Sequence, residues 1–330
     1  MNEHTFVYLE SGTMPVDERA TSEDRLHLLA LCTIKGVNWN VLAREAQRPA
    51  GLSRLLAGEI GEDSRDGRAT RQRLEEGLAS LPDRLDRVQG EIDAATLIDA
   101  RLVTVLDDEY PSNLRVTPKL PPFLFYRGEL RRDDARSVAV VGTRQASAEG
   151  ADRARTLAKL LVEEGVTVIS GLAAGIDTAA HSAALEAGGR TLAVVGTGIL
   201  SVYPKQNAEM ADQIAASGAV ISQFWPSAPP TRFSFPMRNE VMSGISQGTA
   251  VIEAGRTSGA KMQARLALEQ GKRAFLMSSL VTDEDWAKGY LERPGAIEVN
   301  SVDDVVRWLR SPEQVEMQSS QRHQLALELV

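Results

Sequence analysis

Ser137-Val138-Ala139-Val140-Val141-Gly142-Thr143-Arg144 is the stretch that decides the fold of this 330-residue chain. Its apolar run, β-branched at Val138, Val140 and Val141, turns at Gly142-Thr143-Arg144 into a helical pattern from about Ala148. A buried parallel strand feeding a helix N-terminus has this pattern. The next segment repeats it with Thr167-Val168-Ile169, then Ser170-Gly171-Leu172-Ala173-Ala174-Gly175-Ile176-Asp177, then a helix toward Ala187. Glycines at 171 and 175 permit positive φ and close backbone approach, while a helix start offers unpaired N–H groups and a positive dipole end. Two such loops at strand C-terminal ends are suited to phosphate. The candidate ligand residues here are Gly142, Thr143, Arg144, Ser147, Ser170, Gly171, Gly175 and Asp177, with Arg144 adding a bidentate donor fork.

Outward from this pair the strand and helix cadence continues, with strands expected near 138–141, 166–169, 191–195, 219–222, 249–252 and 273–277. A late strand near Ile297 and an amphipathic helix from Val302 to Leu309 close the pattern. The fold class is therefore α/β: a Rossmann-like, mainly parallel sheet with helices on both faces. Gly196 is a further candidate ligand position, but Ser201 stands where a dinucleotide fingerprint begun by Gly196 and Gly198 needs its last glycine, which disfavours a nicotinamide cofactor.

Toward the N-terminus, residues 1–22 lack periodicity and read as a tail. Residues 23–100 read as a small helical domain. Leu26 to Ile34 mark a first helix broken at Gly36-Val37-Asn38, Trp39 to Ala46 a second, and Leu52 to Leu56 a short third. Short helices around a glycine turn resemble helix-hairpin-helix or sterile-alpha-motif modules, which bind DNA backbone or other proteins; a bundle that merely packs fits equally well. Residues 60–67 read as a linker, and Leu74 to Leu97 as one or two helices interrupted near Pro82. Residues 101–135, with strands at Leu102–Leu106 and Phe123–Tyr126, read as a connection to the Rossmann-like domain over 136–311, and residues 312–330 as a polar C-terminal tail.

One cysteine, Cys32, excludes a disulfide framework within the chain and any cysteine-based metal cluster. No apolar run reaches membrane-spanning length, so a soluble cytoplasmic protein without cofactor or metal is expected. A net charge of -8 argues against indiscriminate coating of nucleic acid, yet residues 133–311 carry 18 basic against 20 acidic side chains and leave room for a local basic groove.

The chain resembles the DprA/Smf family of DNA-processing proteins linked to natural transformation. The resemblance runs through Tyr110-Pro111 and Pro121 to Gly128, Gly142-Thr143-Arg144 with Ser147 and Gly150, Ser170-Gly171-Leu172-Ala173, Gly175-Ile176-Asp177 and Ala180-His181. It continues through Tyr203-Pro204 with Asn207, Phe235-Pro236 with Arg238-Asn239, Glu253-Ala254 and Ser258-Gly259. It implies a Rossmann-like domain that binds single-stranded DNA in a positively charged pocket, a homodimer, and a role in loading the RecA recombinase, with no catalytic activity. Arg238, Asn239, Ser258, Gly259 and Lys261 join the candidate site; Arg144, Arg238 and Lys261 could track a sugar-phosphate backbone, and Phe233 and Phe235 could stack bases or plug the core. Asp177 and His181, four apart on one helix face, could form an acid-base pair or be a helix-starting Asp and a locally bonded His. Several positions depart from the family's pattern. Glu240 stands where a second arginine is usual, Ala260-Lys261-Met262-Gln263 follows Ser258-Gly259, Ser222-Gln223 replaces a Ser-Glu pair, and Ser278-Ser279 replaces a Pro-Gly. The rewritten pocket motivates an alternative, a sensor of a nucleotide or nucleotide-derived signal within a bacterial defence system. A second alternative is a nucleotide-processing N-glycosidic hydrolase like the Lonely-guy group, whose glycine cluster is missing from Gly248 to Glu253.

Overall fold

The structure, a computed structural model, describes residues 20–328, so the expected tail over residues 1–22 lies almost wholly outside the described residues. Five α-helices open the described residues: α1 (Ser22–Cys32), α2 (Trp39–Ala46), α3 (Gly51–Leu56), α4 (Arg65–Gly77) and α5 (Leu81–Thr96). Local capping sets their starts. Thr21 and Asp24 form a capping box on α1, and the Asn38 side chain accepts from Asn40 N–H at α2. The end of the expected linker is helical instead, because Ser64 accepts from Gly67 N–H and Asp66 sits in the first turn of α4.

Strands β1 (Ala100–Thr104) and β2 (Phe123–Gly128) follow, joined through the short α6 (Ser112–Arg115). The remaining chain alternates: β3 (Ser137–Val141), α7 (Ala148–Glu163), β4 (Thr167–Ser170), α8 (Ile176–Glu186), β5 (Thr191–Val194), α9 (Ala208–Ser217), β6 (Ala219–Ser222), α10 (Ser234–Ile245), β7 (Gly248–Val251), α11 (Gly259–Glu269) and β8 (Arg273–Met277). Then come α12 (Ser278–Asp283), α13 (Asp285–Leu291), β9 (Ala296–Val299), α14 (Asp303–Val306) and α15 (Pro312–Glu328). The helix expected over Val302–Leu309 is therefore only four residues long. The expected C-terminal tail is largely α15, opened by Pro312 where its missing N–H costs nothing. Ser319 Oγ donates to the Ser112 carbonyl at 3.4 Å and Glu316 pairs with Arg132, which fastens α15 across the start of the sheet domain.

One sheet of nine strands runs β1-β2-β6-β5-β4-β3-β7-β8-β9. Strands β3 to β9 are parallel to their neighbours, whereas β2 lies antiparallel to β6 and β1 antiparallel to β2. Residues 101–135 thus do more than connect: they add most of two strands to the sheet. Period-two alternation gives each strand two buried faces. Val138 and Val140 join Ala154, Leu157 and Leu161 of α7 and Ile176 and Ala180 of α8 on one face. Ala139 and Val141 join Val241 and Met242 of α10 and Ala260 and Ala264 of α11 on the other. The second cluster continues into α1 to α5, and Trp39 meets Phe123 at 5.1 Å between ring centres and Trp225 at 6.2 Å.

Two half-buried cations tie the helices to the sheet. Lys272 donates its ammonium to the carbonyls of Ser243 and Ser246, both at 2.8 Å, and of Gly244, closing the C-terminus of α10. Arg190 meets Asp134 at 2.5 Å and holds the carbonyl of Ser217 at 3.1 Å.

Candidate nucleic-acid interface

The chain order places a gap at one position in the sheet. From β3 the chain winds outward through β4, β5 and β6, then returns to the other flank of β3 to form β7. Helices α7 and α11 leave neighbouring strand ends toward opposite faces, and a crevice opens between the loops; such switch points are where open α/β sheets hold ligands. A cleft of about 380 Å³ lies there, lined by the loop after β3, the loop after β7 and the N-terminal half of α10. Of the candidate residues, Gly142, Thr143, Arg144, Asp177, Arg238, Asn239, Ser258 and Gly259 line it.

The others lie elsewhere. Ser147 caps α7, accepting from Gly150 N–H at 2.9 Å. Ser170 is buried, its hydroxyl donating to the Val140 carbonyl at 2.6 Å. Gly171 lies against Arg238, where a Cβ would come within 2.2 Å of Nη1. Gly175 has φ +80° and packs on the Thr143 carbonyl. Gly196 faces the Phe235 ring, 2.8 Å from where a Cβ would stand. Lys261 is not among the residues that line the cleft; its ammonium lies over the rings of Trp286 at 5.5 Å and Tyr290 at 5.9 Å, a cation-π seat offered by α13.

Both loops read as open phosphate cradles are partly filled by the protein's own carboxylates. Asp177 accepts from Gly171 N–H at 3.1 Å and Ala173 N–H at 3.4 Å. Glu253 accepts from Ser147 N–H at 3.2 Å and Ser147 Oγ at 2.8 Å, at the N-terminus of α7. A carboxylate at these donors satisfies the same N–H groups and dipole that a phosphate would. Burial pushes the Asp177 carboxyl above the usual range, opposed by the Arg238 charge and the two N–H donors.

Arg238 is buried at 6% exposure, donating to the carbonyls of Gly171 and, at 2.7 Å, of Val194, and to Asn239 Oδ1 at 2.9 Å. Burial pulls its guanidinium down from the usual value, with Asp177 opposing. It forms a fixed positive floor, not a reaching arm. Arg144, in contrast, is exposed, lies 5.5 Å from the centre of the Phe235 ring and has no carboxylate partner within ion-pair distance among the described residues. Beside Phe235 stands Tyr203, 45% exposed with ring centres 5.6 Å apart, and Phe233, two residues before Phe235 in the chain, is 65% exposed beneath Arg232.

His181 does not pair with Asp177. Its Nδ1 lies 2.7 Å from Thr191 Oγ1, and that hydroxyl donates onward to the Val168 carbonyl at 2.8 Å. The ring is therefore a donor at Nδ1, the locally bonded arrangement. The cleft also uses Ala173, Phe235, Met242, Thr257 and Gln263, which the candidate set omitted. For Thr257 the signal was its place before the Ser258 cap, and for Gln263 its four-residue spacing from Gly259.

The sequence profile described as DNA recombination-mediator protein A matches residues 101–310. The chain belongs to this family, the DprA/Smf proteins. DNA processing protein DprA of Streptococcus pneumoniae is 40% identical over 180 residues, 54% of this chain and 64% of that protein. Protein Smf of Synechocystis is 40% identical over 179 residues, 53% of this chain and 45% of the relative, so the matched part spans less than two thirds of either. A putative DNA processing protein DprA of Mycobacterium tuberculosis is 32% identical over 288 residues, 82% of this chain and 74% of the relative. Among solved structures, DNA processing protein A of Streptococcus pneumoniae superposes with a TM-score of 0.69 at 29% identity, covering 88% of this chain and 99% of that one. DNA processing protein A of Helicobacter pylori, a structure concerned with that protein's single-stranded DNA binding mode, gives 0.56 at 24% identity over 63% of this chain and 94% of its own. The DprA/Smf scaffold thus carries this cleft.

Proposed function

We propose that this protein binds single-stranded DNA across the switch-point cleft and acts in DNA processing, as a homodimer that assists RecA loading. The observation that carries the binding part is the exposed, unpaired Arg144 resting on Phe235 at the mouth of the cleft. A guanidinium beside exposed rings suits a strand whose phosphates need cations and whose bases need flat apolar faces. The cleft volume of about 380 Å³ suits one nucleotide, with Tyr203 and Phe233 outside it available to neighbours. The 40% identity to the Streptococcus pneumoniae DNA processing protein supports the wider role, and the family resemblance supports RecA and the homodimer. The reading is of a binding protein because the carboxylates nearest the cleft, Asp177 and Glu253, are both engaged with backbone N–H groups.

The single-nucleotide size also supports a second reading, a nucleotide sensor. Fluorescence anisotropy with a labelled single-stranded oligonucleotide, across a salt series and with Arg144→Ala beside the wild type, separates the two. Strand binding gives a steep salt dependence, with a slope of about -0.7 per phosphate neutralised, and the variant loses affinity. A wild type that ignores the oligonucleotide at low salt but is stabilised thermally by a mononucleotide supports the sensor and refutes strand binding.

A further inference from the structure

We infer that Glu253, which does not line the cleft, is a positioning residue that sets where Arg144 meets the ligand; the inference rests on the strand-binding reading above. Glu253 grips the loop after β3 at both ends. Its main-chain carbonyl accepts from Thr143 N–H at 2.7 Å, and its carboxylate accepts from Ser147 N–H at 3.2 Å and Ser147 Oγ at 2.8 Å. Between these grips lie only Arg144, Gln145 and Ala146, and Gln145 N–H is turned inward to Thr143 Oγ1 at 3.2 Å. Ser147 Oγ, having donated its proton to Glu253, accepts from Gly150 N–H at 2.9 Å and starts α7.

Two glycines make room for this clamp. A Cβ on Gly142 would stand 2.9 Å from the Glu253 carbonyl oxygen, and one on Gly150 would stand 1.8 Å from Oε2. Both approaches are closer than a side chain permits; at Gly150 the glutamate is the nearest neighbour, whereas at Gly142 the Ile176 side chain, 2.3 Å from the Cβ position, requires the glycine as well. Glu253 has no arginine or lysine within ion-pair distance among the described residues; its charge is balanced by the N-terminus of the 16-residue α7. The N–H groups of Thr143, Gln145 and Ser147 are thereby engaged with Glu253 and Thr143, and Arg144 carries the one cationic side chain between Gly142 and Ser147. A loop pinned on both sides of a three-residue span presents that arginine as a fixed arm, already ordered before the strand arrives.

The test is a double-mutant cycle read by oligonucleotide anisotropy over a salt series, using Arg144→Ala, Glu253→Ala, Gly150→Ala and the pair of Arg144→Ala with Glu253→Ala. Gly150→Ala guards against a misfolded Glu253→Ala, because alanine favours helix α7 while its methyl evicts the carboxylate. Each single variant should weaken binding roughly tenfold or more, the worth of one charge-assisted hydrogen bond. The double variant should fall no further than Arg144→Ala, and the salt slope should drop by about 0.7 in every case. If Gly150→Ala and Glu253→Ala bind as the wild type does while Arg144→Ala is weakened, Glu253 positions nothing and the inference alone fails. Additive losses in the double variant, or weaker binding at an unchanged slope, equally overturn it. If Arg144→Ala itself binds like the wild type, the cleft reading fails and takes the inference with it.

Discussion

Acid should destabilise this protein through one residue in particular, His181. The ring is fully buried, its Nδ1 proton is committed to Thr191, and its Nε2 has no partner among the described residues. Protonation would place both a cation and an unsatisfied N–H donor in the core, and the Arg238 charge adds to the penalty; the imidazole is accordingly pushed down to about 3. A folded value below the unfolded one of about 6.5 means that the unfolded chain binds the extra proton first. The stability that neutral His181 preserves is complete above pH ~6.5 and is lost progressively as pH falls toward ~3. Each unit in that window costs about 1.4 kcal/mol, so roughly 2 kcal/mol disappears between pH 6.5 and 5 from this group alone. Urea unfolding of the wild type and His181→Leu at pH 7.5, 6 and 5 isolates it, since other groups titrate alike in both proteins. The leucine variant loses the Thr191 hydrogen bond at every pH, but the gap between the proteins should narrow by about 2 kcal/mol as the pH falls to 5. A gap that stays constant within error would refute the argument.

Gly171→Ala should drive the Arg238 guanidinium off its carbonyl seat, since the methyl would stand 2.2 Å from Nη1; an oligonucleotide affinity and melting temperature both equal to wild type would show that Arg238 is not held there. Lys272→Met removes the donor to three carbonyls at the end of α10 and should cost about 2–4 kcal/mol in chemical denaturation. Removing residues 1–97 tests the division of the chain: a remainder that unfolds cooperatively supports a separate helical domain. Loss of cooperativity would instead show that the contact of Trp39 with Phe123 and Trp225 belongs to the sheet's own core.

The strands from β3 to β8 were legible because each is a short apolar run ending at glycine or a polar turn, and burial on both faces leaves no other periodicity to misread. Trp39–Ala46 was legible from the break at Gly36-Val37-Asn38 that precedes it. The content of the loops was not. The pattern of glycines at 142, 150, 171 and 175 announces close approach without naming what approaches, and the visitor at Gly150 is a side chain 106 positions away from Ser147. Arg238 was read beside Arg144 and Lys261 as a cation that could track a sugar-phosphate backbone, and its burial was not legible because its carbonyl acceptors at 171 and 194 become neighbours only when the parallel strands assemble. The seat of Lys261 was hidden for the same reason, its aromatic partners lying on α13, with β8 and α12 between. Pro312 at the first position did signal α15, but a mainly polar helix gave too weak a stripe to outweigh a tail reading.

Because the crevice arises where α7 and α11 part on either side of β3 and β7, it is a property of the winding and not of any side chain lining it. Substitutions in the 258–263 segment can exchange its contents, as Ala260-Lys261-Met262-Gln263 does here, while the opening itself persists. Such a site can change its ligand by small steps without passing through an unfolded ancestor, since the winding bears the stability and the 258–263 segment bears the choice.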